Sequence, residues 1–174
     1  MMKTLVKIII FVLCGLSILG GVAAAASKSF EGLNLNKLKL PRQVIGSEKG
    51  LNLLQVVGVA SSSYGDYEYL DKNSRSTSQV HAGTIVVAVL QYGYGNANAA
   101  SLAASEPDDT NTVTFCGSLS NIHNCRAGEK VSGWIYFYQF NQSQGGYFTM
   151  SANSTAAPFG TSKVAMTIKS RQWH

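Results

Sequence analysis

Charge is what this sequence has least of. Asp, Glu, Lys and Arg make up 13% of its 174 residues, about half the usual quarter, which excludes a disordered polyelectrolyte and a long solvated coiled coil. Proline occurs three times and the glycines follow no period, so neither a proline-rich nor a collagen-like chain fits. No repeat of 20–50 residues is visible, which sets aside solenoids and propellers. The familiar hydrolase signatures are missing as well: there is no G-x-S-x-G elbow, no H-E-x-x-H helix, no phosphate-binding loop and no papain-like cysteine context. What remains is a chain of single-domain length that is 45% hydrophobic, and it points to one compact β-rich domain.

The basic excess is unevenly placed. Lys3 and Lys7 begin the chain, and Lys28, Lys37, Lys39, Arg42 and Lys49 outnumber Glu31 and Glu48 in the next segment. From Gly50 onward there are seven basic and seven acidic residues. The pI of 9.2 therefore comes with no clustered basic face on the domain, and no nucleic-acid partner is expected.

Residues 1–26 read as a secretory signal peptide. Lys3 and Lys7 precede an apolar run from Ile8 to Leu19, and Val22-Ala23-Ala24-Ala25-Ala26 supplies the small residues of a cleavage site. The competing reading is a retained anchor, since Ile8 to Ala26 carries no charge. Cleavage leaves no stable membrane insertion and a secreted chain, extracellular or periplasmic. It also removes Cys14 and leaves Cys116 and Cys125, which in an exported chain form one disulfide. The alternative, a metal site of Cys116, His123 and Cys125, lacks a C-x-x-C pair and a fourth ligand.

Residues 27–49 read as a basic N-terminal arm or propeptide, a linker packing loosely on its own domain. Leu33, Leu35, Leu38 and Leu40 fit neither a strand nor a helix period, and Pro41 interrupts any regular element. Residues 50–174 are expected to form a single-domain antiparallel β-sandwich with one short helix. Strands are expected at Leu51–Ala60, Ile85–Leu90, Thr112–Cys116, Val131–Phe140, Gly146–Ala152 and Lys163–Lys169. Asn141 to Gly145 reads as a hairpin loop between the fourth and fifth of these. The alanine-rich stretch Asn96 to Ser105, ended by Pro107, reads as the helix.

The aromatic strand carries the most chemistry. Alternation puts Trp134, Tyr136, Tyr138 and Phe140 on one face and Ile135 and Phe137 on the other. A row of rings with polar edges suits a sugar platform, and it equally suits a core between two sheets. Tyr64, Tyr67, Tyr69, Tyr92 and Tyr94 lie in tyrosine- and glycine-rich loops, the favoured contact regions of a rigid scaffold. Asp66, Glu68 and Asp71 offer paired carboxylates without diagnostic spacing. Glu68 and His81, with Arg75 or Arg126, have the residue types of a small ribonuclease. Glu106 to Asn111 clusters oxygen ligands but lacks the pattern of a calcium loop, and a turn explains it.

The Ser62-Ser63-Tyr64-Gly65 turn followed by Tyr69-Leu70-Asp71, the Gln91-Tyr92-Gly93-Tyr94-Gly95 stretch and the cysteine-bounded loop resemble the YolA-type secreted proteins. These are small bacterial proteins grouped as a domain of unknown function. The resemblance covers Leu53 to Lys169 and implies an exported, bacterial protein; it carries over no active-site residues.

The functional expectation is a secreted, non-catalytic binding protein for a glycan, cell-surface or protein ligand, without cofactor or metal. Its binding residues are expected among Tyr64, Tyr67, Tyr69, Tyr92, Tyr94, Trp134, Tyr136 and Tyr138. The alternatives are a small secreted hydrolase of glycosidase or ribonuclease type, using Glu68 and His81, and a self-assembling surface protein.

Overall fold

Valine and isoleucine are stiff at χ1 and fit a pleated surface, and the runs rich in them, around Val56 and around Val87, are both strands in the computed structural model. It describes residues 32–43, 50–157 and 159–171. The expected leader and residues 27–31 and 44–49 of the arm lie outside the described residues. Ten strands follow in order: β1 (Leu51–Ser61), β2 (Tyr67–Tyr69), β3 (Gly83–Gly93), β4 (Gly95–Ala97), β5 (Ser101–Leu102), β6 (Asp109–Cys116), β7 (His123–Asn124), β8 (Val131–Ser143), β9 (Gly146–Ser154) and β10 (Thr161–Ile168). All six expected strands are present within a few residues of their expected ends. The described residues contain no α-helix, only one 3-10 turn at Leu35–Lys37, and no helix long and apolar enough to cross a membrane.

The strands form two antiparallel sheets, one in the order β2-β1-β3-β8-β6-β7 and a smaller one in the order β10-β9-β4, with β5 also on β9. Alternation along β3 and β8 sends side chains to both faces of the larger sheet. On the first face Ile85, Val87, Val89, Tyr138 and Phe140 join Phe148, Met150, Met166 and Ile168 of the smaller sheet in one buried cluster. That is the inner core of a β-sandwich. On the second face Val86, Ala88, Leu90, Ile135 and Phe137 form another cluster, with Phe115 and with Leu119 and Ile122 of the disulfide loop.

The arm completes the second face. Leu33, Leu35, Leu38 and Leu40 are half-buried against that cluster. Asn34 Oδ1 caps the 3-10 turn by accepting from the Asn36 N–H, the Asn34 N–H donates to the Tyr69 hydroxyl at 2.9 Å, and the backbone at Lys39 pairs with that at Asp71 in a single parallel β-bridge. The irregular leucine spacing is that of a segment turning across a sheet, with leucines on both sides of the 3-10 turn reaching it.

Two expectations fail. Asn96 to Ser105 is not a helix: β4 and β5 both pair with β9, and the Asn98 N–H donates to the Ser151 carbonyl. A short isolated helix is weakly stable even when alanine-rich, whereas pairing satisfies the free edge of β9 and buries Ala100 and Leu102. Nor do β8 and β9 form a hairpin. β8 pairs with β3 and β6, β9 with β10, β4 and β5, so Gln144-Gly145 is a corner that carries the chain from one sheet to the other. Gly145 there has φ 81°, a left-handed conformation that glycine adopts without strain. Gly93-Tyr94-Gly95 makes the matching corner between β3 and β4. The buried Gln91 amide donates to the carbonyls of Gly93 and Gly95 across it.

If the arm belongs to the cooperative unit, Leu38→Ala lowers unfolding stability in urea by about 1 kcal/mol, against about 3–5 kcal/mol for Phe148→Ala at the sandwich core. An unchanged urea midpoint in Leu38→Ala would mean that the arm is only tethered.

Candidate functional site

The smaller sheet packs on β1 through β9 and β10. β1 and β6 lie on opposite sides of the central β3–β8 pair, so the first face of the larger sheet stays open along β6. Thr110, Thr112 and Thr114 of β6 stand across from Tyr138, Tyr136 and Trp134 of β8, and directly opposed residues of an antiparallel pair share a face. The three threonines are exposed, Trp134 and Tyr136 are half-buried, and Tyr138 slopes into the core. The result is a strip with hydroxyls along one side and rings along the other.

The rings are held in fixed positions. Tyr136 stacks on Tyr138 with centroids 6.3 Å apart. Tyr94, from the β3–β4 corner, sets its edge against Trp134 at 5.6 Å and donates its hydroxyl hydrogen to the Val131 carbonyl. Burial pushes the phenols of Tyr136 and Tyr138 above their ordinary value, with the neighbouring Tyr136 adding to the effect at Tyr138; both therefore stay neutral donors. Among the described residues, no group bonds to the Thr110, Thr112 or Thr114 hydroxyls, the Trp134 indole N–H, or the Tyr136 and Tyr138 hydroxyls, and none of these atoms is a buried orphan.

The loop tyrosines have other partners. Tyr67 is buried beside Tyr69, and burial, then Tyr69, raises its phenol. Tyr69 accepts from the arm backbone and lies under Lys37, whose ammonium is 5.7 Å from the ring centre. Tyr92 stacks on Phe115. Of these loop tyrosines Tyr64 is the most open, at 42% exposure.

Glu68 and His81 do meet. Glu68 Oε2 is 3.1 Å from His81 Nε2, and its carboxylate also accepts the Ser78 and Gln79 N–H groups. Since that carboxylate accepts, Nε2 carries the hydrogen. On the other side of the ring, Nδ1 is 3.0 Å from Ser61 Oγ, which lies 3.1 Å from the Ser63 hydroxyl. A Ser–His–Glu series is thus assembled from the end of β1, from β2 and from the segment entering β3. His81 is fully enclosed, Ser61 is 7% exposed, and the Tyr64 ring closes edge-on over the imidazole at 5.5 Å. Ser61 had no sequence signal beyond ending a valine-rich strand; its place opposite His81 depends on how the chain returns 20 residues later. Arg75 and Arg126 do not join the pair. Asp66 and Asp71 accept from the backbone of their own turns.

The disulfide forms as expected between Cys116 and Cys125, with Cα atoms 5.0 Å apart. The two sulfurs are thus bonded to each other and unavailable as thiolate ligands. Within the enclosed loop, His123 Nε2 is 2.9 Å from Glu129 Oε1 and Nδ1 is 3.2 Å from the Asn121 carbonyl. Two acceptors favour the imidazolium, so His123 is raised from its ordinary value, chiefly by Glu129. Glu129 is lowered, first by the Arg126 N–H and then by His123.

Residues 49–168 match the family model described as a domain of unknown function, DUF4879. No curated protein and no solved structure matches the chain.

The His123–Glu129 clasp has a defined pH window. A raised histidine stabilises fully below its ordinary value of 6.5, and the contribution is lost as pH rises through the raised midpoint. A lowered carboxylate stabilises above its ordinary 4.5, and that contribution is lost as pH falls through the depressed midpoint. The clasp is therefore complete between these two ordinary values. An NMR titration should place the His123 midpoint above 6.5 and move it down in Glu129→Gln; an identical midpoint in the variant rules the clasp out.

Proposed function

The chain belongs to the DUF4879 family, a domain of unknown function, and we propose that it is a secreted, non-catalytic protein that binds glycan along the β6–β8 strip. The supporting observation is the coincidence of three exposed threonines with Trp134, Tyr136 and Tyr138 in register. The hydroxyls and the indole N–H there have no partner among the described residues. A sugar offers an apolar C–H face to a ring and hydroxyls at its edge, which such a strip matches at once. The rings are braced by stacking and by the Tyr94 corner, so binding orders little that is not already ordered. Export belongs to the same proposal. The leader-like residues 1–26, the disulfide and the resemblance to YolA-type bacterial proteins all support it.

A second reading has one specific observation behind it, the Ser61–His81–Glu68 series. In a hydrolase, Ser61 Oγ would attack an acyl carbon while His81 takes the hydroxyl proton and returns it to the leaving group, and water would then release the acyl group. Burial argues for the structural alternative, in which Glu68 and His81 pin residues 78–81 to the end of β1. Such a pin needs no access for substrate.

Binding is tested on arrays of bacterial and plant polysaccharides. Thr112→Val and Thr114→Val keep strand shape and remove one hydroxyl each, and each should weaken retention about three- to tenfold. No retention on any polysaccharide, or unaltered retention by both variants, overturns the proposal.

The pin reading expects a fluorophosphonate probe to leave Ser61 unmodified by peptide mass spectrometry. Labelling of Ser61 that disappears in His81→Gln, with the variant still folded, would instead establish the hydrolase.

A further inference from the structure

The outer side of β6 is an open sheet edge. β7 follows it only at Phe115 and Cys116, through Asn124 and His123. The chain then leaves that edge at Cys125, the second half of the disulfide, and turns between Arg126 and Glu129. Among the described residues no strand or bridge lies over Asp109–Thr114, and all six of those residues are exposed. β2 and β4, at other sheet ends, have only three residues each, and β10 is bridged at Thr167 by Ser76.

An uncovered strand edge is a template for another chain. The composition of this one suits pairing: three threonines and a valine are β-branched, and Asp109 is the single charge. The strand beneath it, β8, is anchored by Ile135 and Phe137, both buried, so an added strand would extend a firm ladder. A second copy is a self-matching partner for it. Two β6 strands laid antiparallel about Asn111 set Thr110 of each opposite Thr112 of the other. Asp109 then meets Val113, so no like charges face one another.

Two hydrogen bonds stand in the way of that pairing. The N–H and C=O groups of every second residue point to the same side of a strand, and on β6 the outward set is Thr110, Thr112 and Thr114. The Thr110 N–H donates to Asp109 Oδ1 at 2.8 Å, and the Thr112 N–H donates to Asn111 Oδ1 at 2.7 Å. Each acceptor is the side chain just before its donor, so Asp109-Thr110-Asn111-Thr112 repeats one device twice. The donors that an incoming strand needs are already taken. Its carbonyls would meet carboxylate and amide oxygens, which repel them.

We propose that Asp109 and Asn111 guard the β6 edge and keep the protein apart from a second copy of itself. Without them β6 pairs antiparallel with its counterpart and joins two molecules into one continuous sheet. The guard bears on the self-assembling alternative, because the edge that such assembly needs is present and closed. It acts on main-chain groups, so it stands whether or not the strip binds glycan.

Sedimentation velocity over a concentration series reads association, and amide hydrogen exchange by NMR reads the two N–H groups. The parent chain should sediment as a monomer, with the Thr110 and Thr112 amides exchanging about fivefold more slowly than unbonded ones, the worth of one hydrogen bond. Asp109→Val combined with Asn111→Val removes both acceptors and keeps a β-branched shape; it should associate to about twice the parent mass. Adding Thr112→Pro removes an outward N–H without touching the ladder to β8, and should return that variant to a monomer. Asn111→Asp alone keeps an acceptor in place and should stay monomeric. A double variant that remains monomeric with native circular dichroism overturns the proposal, as does association that survives Thr112→Pro. So does a parent chain that already associates and loses that association in Thr112→Pro. The exchange measurement on the parent needs no variant to fold: unprotected amides at both threonines mean that there is no guard.

Discussion

The structure depends on a pair of strands that must be covered on both faces. β3 and β8 alternate apolar residues to either side with hardly a polar interruption, so neither face of the sheet they centre can be left to water. One face is met by a second sheet and the other by the arm, with its single 3-10 turn, and by the disulfide loop. Most other features follow from those two needs. The glycine corners exist because the chain must leave the central sheet twice to build its cover. The disulfide holds Leu119 and Ile122 over the opposite side.

The two covers differ in extent, and that difference leaves the candidate binding strip. The smaller sheet is too narrow to reach β6, so the outer part of the first face keeps its rings but faces them with threonines. Threonine is a suitable residue for this position: its branched carbon suits a strand and its hydroxyl tolerates water. The buried Ser61–His81–Glu68 series lies at the end of β1, beyond the central pair. Its hydrogen bonds are satisfied by its own loop, as expected of polar groups kept inside a fold.

Much of this was legible in the sequence, and what was not has a common cause. Valine- and isoleucine-rich runs announced β1 and β3 because local propensity and tertiary burial agree there. Two cysteines after a leader-like segment announced the bridge. The alanine-rich stretch misled because its local preference for helix is outweighed by pairing with β9, a strand far along the chain, as Ser101 with Thr149 and Asn96 with Asn153. Gln144-Gly145 misled because a glycine turn looks the same in sequence whether the chain returns beside itself or climbs to another layer. The aromatic alternation of β8 was readable. That Thr110, Thr112 and Thr114 would stand opposite those rings was not, since it is set by the register between β6 and β8. The contact of Ser61 with His81 was hidden for the same reason.

The family segment begins at residue 49, yet Leu33, Leu35, Leu38 and Leu40 lie before it and roof the second face. The unit shared by inheritance and the unit that keeps water out are therefore not the same length of chain. A relative that keeps only the shared segment inherits Val86, Ala88 and Leu90 under Leu119 and Ile122 of the disulfide loop but without the leucines of the arm. The part of the face those leucines cover must then be closed by some other stretch of its sequence, or by another molecule, or stand open to water.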